Sequence, residues 1–118
     1  MTTHQMITVS KYCPLAGTNR NTFRRYSEKY ETLQPGDLVF MQYATEFDDN
    51  DVPTSVHASE WLTVASVAIG PYKTLKMHHL PRNHGDMDPL ACDTFFERCY
   101  GIKDGELAEA TFMAIYFD

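Results

Sequence analysis

The residues best equipped for chemistry lie in one run, Gly17-Thr18-Asn19-Arg20-Asn21-Thr22-Phe23-Arg24-Arg25, the densest positive charge in an acidic chain. Read as a strand, the run sends alternate side chains to opposite faces. Arg20, Thr22 and Arg24 then point one way, and Asn21, Phe23 and Arg25 the other. Two guanidiniums flanking a hydroxyl can hold a phosphate or a polar base edge. The reverse face can bury Phe23. Pro14-Leu15-Ala16-Gly17 makes a turn ahead of the strand, ending at a glycine where backbone can approach a ligand closely. Gly17, Arg20, Thr22 and Arg24 are therefore candidate ligand-binding residues. The plainer alternative is a solvated edge strand whose arginines pair with nearby acids.

Other groupings carry less. His78, His79, His84 and Asp86 with Cys92 include zinc-ligand types. Adjacent histidines on a strand diverge, however, and neither a CxxC nor an HxxxH pair is present. Cys92 and Cys99 would stand about 10 Å apart along a helix, too far to chelate one ion directly. Neither a metal nor a cofactor is expected. Cys13, close before the Gly17 turn, could act as a nucleophile with a histidine from 78–84, but free cysteine commonly serves as a small buried hydrophobe. Tyr12, Tyr26, Tyr30, Tyr43, Trp61 and Tyr72 could supply a stacking surface for a base, or simply pack the core and rim. Asp48, Asn50 and Asp51 lack the Gly and terminal Glu of a calcium loop, so they read as a solvated acidic tip.

Length and composition set the bounds. A chain of 118 residues has room for one domain and one core, spanning 1–118. At 43% hydrophobic and 22% charged residues it belongs with ordinary globular proteins. It has no apolar run of the length that spans a bilayer, so no membrane association is expected. The N-terminus does not follow the pattern of a signal peptide, and three cysteines suit reduced thiols; both point to the cytosol. The formal charge of -6 argues against non-specific coating of nucleic acid. Its distribution says more. Residues 1–34 hold five Lys/Arg against two acids, whereas residues 35–70 hold six acids and neither Lys nor Arg. A local basic site within an acidic body suits a small ligand or a few nucleotides.

The elements that must position these groups are mostly strands. Gln5–Ser10 alternates apolar and polar, and Gln34-Pro35-Gly36-Asp37 is a turn. Leu38–Tyr43 is nearly continuous in apolar residues, the mark of a strand buried on both faces. Residues 46–59 read as an exposed acidic loop, or as a hairpin between long strands. Glu60–Ile69 is a β-branched strand ended by Gly70-Pro71. Tyr72–Leu80 fits no single template. Asp88-Pro89 opens the one clear helix, near residues 89–100, with Asp88 as N-cap and Gly101 as C-cap. Ala110–Phe117 is a final aromatic strand. The expected fold is α+β, mainly β: a small, closed or partly closed barrel with helical decoration.

The order of Leu15-Ala16-Gly17, Thr22-Phe23-Arg24, Leu33-Gln34-Pro35-Gly36-Asp37-Leu38-Val39 and Phe112-Met113-Ala114-Ile115-Tyr116-Phe117 resembles the ASCH domain of the PUA-like superfamily. The resemblance spans about residues 6 to 117. It implies a PUA-like β-barrel with a ligand cleft beside the Gly-to-Arg motif. The family is linked to RNA binding, and its small single-domain members remove the acyl group from N4-acylcytidine. In those enzymes a Lys two residues after the Gly, a Thr three further on and a downstream carboxylate carry the chemistry. Here the Thr is Thr22 and the motif Arg is Arg24, while the carboxylate would be Asp86 or Asp88. The Lys position holds Asn19, a side chain that does not titrate, and the guanidinium of Arg20 stays protonated.

Three functions follow as expectations. The first is a nucleotide- or RNA-binding domain with its cleft at Gly17, Asn19, Arg20, Thr22 and Arg24. The second is an amidohydrolase of an N4-acylated nucleoside that uses Thr22 with Asp86 or Asp88. The third is a small acidic inhibitor or adaptor whose protein partner meets the acidic loop 46–60.

Overall fold

The computed structural model describes residues 3–7, 21–50, 52–83, 88–103 and 105–118. Five strands form one sheet: β1 (Thr3–Ile7), β2 (Asn21–Arg25), β3 (Leu38–Phe47), β4 (Pro53–Pro71) and β5 (Thr111–Phe117). Two helices, α1 (Tyr72–His79) and α2 (Asp93–Tyr100), complete an α+β fold. The spatial order is β1-β3-β4-β5-β2. Every pairing is antiparallel except β1 with β3.

That parallel pairing is secured at the Pro-Gly-Asp turn. Gly36 takes a positive φ of 93°, which glycine adopts without strain. Asp37, now buried, accepts the Gln34 amide at 3.1 Å and meets His4 Nε2 at 3.2 Å. One carboxylate thus closes the turn and ties the start of β3 to β1. The Asp37 amide and carbonyl also bond within this corner, the carbonyl accepting from Val64 of β4.

The core has two halves, one on each face of the sheet. Met6, Val39, Met41, Tyr43, Leu62, Val64, Met113, Ile115 and Phe117 line one face, closed by Tyr30 and Leu33. On the other, Phe23, Phe112 and Ala114 pack against Tyr72, Leu75, Leu80 and Phe96 from the helical side. β5, an interior strand between β4 and β2, is buried on both faces over Phe112–Ile115.

Several expectations change here. The segment 38–43 is buried on one face only: Val39, Met41 and Tyr43 are buried, while Leu38, Phe40 and Gln42 are half-buried. Helices cover only the β4-β5-β2 end of the sheet, so the outer face of β3 keeps its partial exposure. Of the two forms expected for residues 46–59, loop or hairpin between long strands, the hairpin holds: β3 runs to Phe47 and β4 starts at Pro53. Asp48 organises the turn between them by accepting the amides of Asn50 and Val52 at 2.8 and 3.0 Å.

The late helix starts at Asp93, four residues beyond the expected Pro89. Asp88 caps the preceding turn instead, accepting the Leu90 amide at 2.9 Å. Gly101 ends the helix with φ 64°, as its C-cap role requires. Residues 72–79 form a second helix whose buried Tyr72 and Leu75 share one face. The two helices meet through a polar knot. Tyr72 Oη lies 2.8 Å from Cys92 Sγ and donates to Asp93 Oδ1 at 2.7 Å, and Lys76 Nζ donates to the same carboxylate at 3.0 Å.

The sheet curls until its two edges approach one another. Arg24, on edge strand β2, donates from Nη2 to the carbonyl of Ile7, on edge strand β1, at 3.0 Å. Among the described residues no backbone ladder joins these edges, so the curled sheet is spanned there by a side chain.

Candidate functional site

Strand register decides which candidate residues meet. Thr22 pairs with Ile115 and Arg24 with Met113. Directly opposed residues in an antiparallel pair share a face, and Ile115 and Met113 belong to the half-core on the concave side of the curl. Thr22 and Arg24 therefore point into the curled sheet together. Phe23 points outward, into an aromatic cluster with Tyr72, Phe96 and Phe112 at centroid distances of 5.4 to 6.1 Å. The alternation expected from sequence holds for Thr22, Phe23 and Arg24.

Its consequence for Arg24 differs from the solvated edge strand offered as the plainer alternative. Arg24 is only 5% exposed. Its Nε and Nη2 donate to Thr22 Oγ1 at 3.3 and 2.9 Å, and Nη2 also donates to the Ile7 carbonyl. Both acceptors are neutral. No carboxylate pairs with Arg24 among the described residues, and its Nη1 donates to none of them. The site thus holds a buried guanidinium, fixed on two sides, with a spare donor at Nη1 and no carboxylate bonded to it among the described residues.

A carboxylate not among the residues expected from sequence, Glu60, shares this face. Glu60 pairs with Met41 in β3, two positions before buried Leu62 on the same strand. Period-two alternation turns Glu60 to the concave side with Met41 and Leu62. Its neighbours give the signal in retrospect: Glu60, Leu62 and Val64 are one alternate set, and two of the three are core.

The remaining candidates are not gathered here. Asp88 is exposed in the turn before α2 and makes no hydrogen bond or ion pair with Thr22 or Arg24. Gly17, Asn19, Arg20 and Asp86 lie outside the described residues, as do Cys13, Tyr12 and His84. Arg25 is exposed.

The histidines of α1 have other occupations. His79 Nδ1 lies 2.7 Å from Tyr116 Oη, while its backbone carbonyl accepts Asn21 Nδ2 at 2.8 Å. Burial, with help from the nearby charges of His78 and Arg82, pushes the His79 imidazole below its ordinary value. Cys92 is buried, and its thiol is pushed up by that burial, only partly offset by the Tyr72 hydrogen bond. Burial works to raise the Asp93 carboxyl, but hydrogen bonds from Tyr72 and Lys76 outweigh it and hold the group below its ordinary value. This knot anchors helices; it presents no thiolate for chemistry.

Comparison of the chain with protein-family models, with curated proteins and with solved structures finds no match.

Proposed function

We propose that this protein is a nucleotide- or RNA-binding domain of PUA-like barrel type, with its ligand site on the concave side at Thr22 and Arg24. The observation that carries the reading is the Arg24 guanidinium: buried, held by Thr22 and Ile7, and without a carboxylate partner among the described residues. A buried charge without a partner is costly. A ligand that brings a phosphate oxygen or a polar base edge to Nη1 offsets that cost and completes the donor fork. Thr22 presets the fork by accepting from two of its nitrogens, so little side-chain freedom is lost on binding. In the sequence, residues 8–20 ahead of β2 include Lys11 and Arg20 and neither Asp nor Glu.

The test is a titration with short single-stranded RNA and with nucleotides, repeated across salt concentrations. Contact with a few phosphates gives a shallow dependence, with a slope of roughly -0.7 per phosphate in log K against log salt. Replacing Arg24 with Met should abolish binding. Absence of binding at low salt to RNA, DNA and nucleosides alike would refute the reading.

A second reading is favoured by Glu60. A carboxylate on the same face as the Thr22 hydroxyl supplies the acid–base group that an amidohydrolase of an N4-acylated nucleoside needs. Neither Asn19 nor Asp88 supplies it. Turnover of N4-acetylcytidine that Glu60→Gln abolishes while nucleoside binding persists would establish this activity. Turnover indifferent to Glu60→Gln, or no turnover by the wild type, would remove it.

A further inference from the structure

The hairpin β3–β4 carries a feature that the concave site does not use. Its outer face presents Trp61, 59% exposed, with the Phe40 ring 5.0 Å away and tilted across it. Phe40 pairs with Trp61 on one side and with Gln5 of β1 on the other. Gln42 and Ser59 form the next pair on this face, and Leu38 and Thr63 the pair on the opposite side. The helices cover the same convex face only farther along β4, where Ala68 packs with Ala114 against them. Trp61 and Phe40 lie beyond that cover.

The hairpin that carries this aromatic pair holds acids and neither Lys nor Arg. No Lys or Arg occurs from residue 30 to residue 72, a stretch that includes all of β3 and β4. Glu46, Asp48 and Asp49 stand exposed at the hairpin's turning end. Ser55, the register partner of Glu46, is six residues from Trp61, or about 20 Å along the strand. An exposed indole against a phenyl ring, on a hairpin without cations, repels a nucleic-acid backbone and attracts a cation that can stack. Guanidinium does both: it lies flat on an aromatic face and is weakly hydrated, so it loses little by leaving water.

We propose that this face is a docking surface for an arginine-rich segment of another protein. One arginine stacks on Trp61 and Phe40, and further basic residues reach the acids at the turn. The inference is independent of the concave site and of any ligand bound there.

Trp61 is the only tryptophan in the chain, so its emission reports on this face alone. The experiment titrates the intact protein with an oligo-arginine peptide of about nine residues, long enough to span the distance. Parallel arms use oligo-lysine of equal length, oligouridylate, and the protein alone at rising concentration. Trp61 emission should change saturably with oligo-arginine and less with oligo-lysine. By anisotropy of labelled peptide, Trp61→Ala should weaken oligo-arginine binding about two- to fivefold, the scale of an exposed cation–π contact. The double variant Glu46→Gln, Asp49→Asn should weaken it too and flatten its salt dependence. Four results would overturn the proposal: no emission change up to millimolar peptide; oligo-arginine affinity unaltered in Trp61→Ala; a stronger response to oligouridylate; or an emission shift with doubled mass for the protein alone. The last would assign the face to a second copy of this chain. Thermal unfolding of each variant verifies that lost binding is not lost fold.

Discussion

Arg24 Nη2 and the carbonyl of Ile7 stand 3.0 Å apart, although they belong to the two opposite edges of a five-stranded sheet. A side chain from one edge strand thus grips the backbone of the other. The same guanidinium is bonded to Thr22 and carries the proposed ligand site. Scaffold and site share one residue.

Arg24→Ala is therefore expected to cost stability, by about 1–3 kcal/mol for each buried acceptor left unpaired at Thr22 and Ile7. From sequence alone, an accessible Arg24 would have been nearly neutral on removal. Urea unfolding distinguishes the two. A variant within experimental error of wild type would show that the edge-to-edge contact contributes nothing.

Phe23→Ala should cost about 3–5 kcal/mol through the cavity it leaves among Tyr72, Phe96 and Phe112. Loss of fewer than about 1 kcal/mol would mean that this cluster can collapse around the gap.

The pH dependence of stability should carry a component from His79. Its folded pKa lies below the ordinary 6.5 because of burial and the charges of His78 and Arg82. The unfolded chain then binds the proton more readily, so stability is fully present above about 6.5 and falls as pH drops through that value. His79→Gln should remove this component. An NMR titration placing the His79 midpoint at or above 6.5 would contradict the assignment.

Cys92 should resist alkylation in the native protein, being buried, hydrogen-bonded to Tyr72 and held as a thiol. Cys99, half-buried, should react sooner. Peptide mapping by mass spectrometry after brief iodoacetamide treatment reads both. Equal labelling of the two would show that the knot between α1 and α2 opens readily.

The local signals in the sequence transferred well where they rested on backbone preference. Pro35-Gly36-Asp37 gave a turn, Gly101 a C-cap, and alternation around Thr22-Phe23-Arg24 gave the correct faces. Tertiary effects were not legible. Asp37 looked like a turn residue, yet its carboxylate also binds His4, a partner 33 positions away. Asp88-Pro89 had the local form of a helix start, but the helix begins where Cys92 and Asp93 find Tyr72 and Lys76. Arg24 looked like surface because charge favours water; the curl that buries it depends on two sheet edges meeting. The face of Glu60 was legible in its alternation with Leu62 and Val64, but its pairing with Met41 is set by the register of β4 against β3, which no local window contains.

The proposed site requires that Arg24 touch the ligand. Nitrogen-15 NMR of the arginine side chains, with Arg24 assigned through Arg24→Lys, measures this during titration with cytidine monophosphate. The Arg24 side-chain resonances should shift saturably, with the same midpoint as the backbone amides of Thr22 and its neighbours. Binding that moves other signals while leaving Arg24 unchanged, or the absence of any binding, would contradict the central claim.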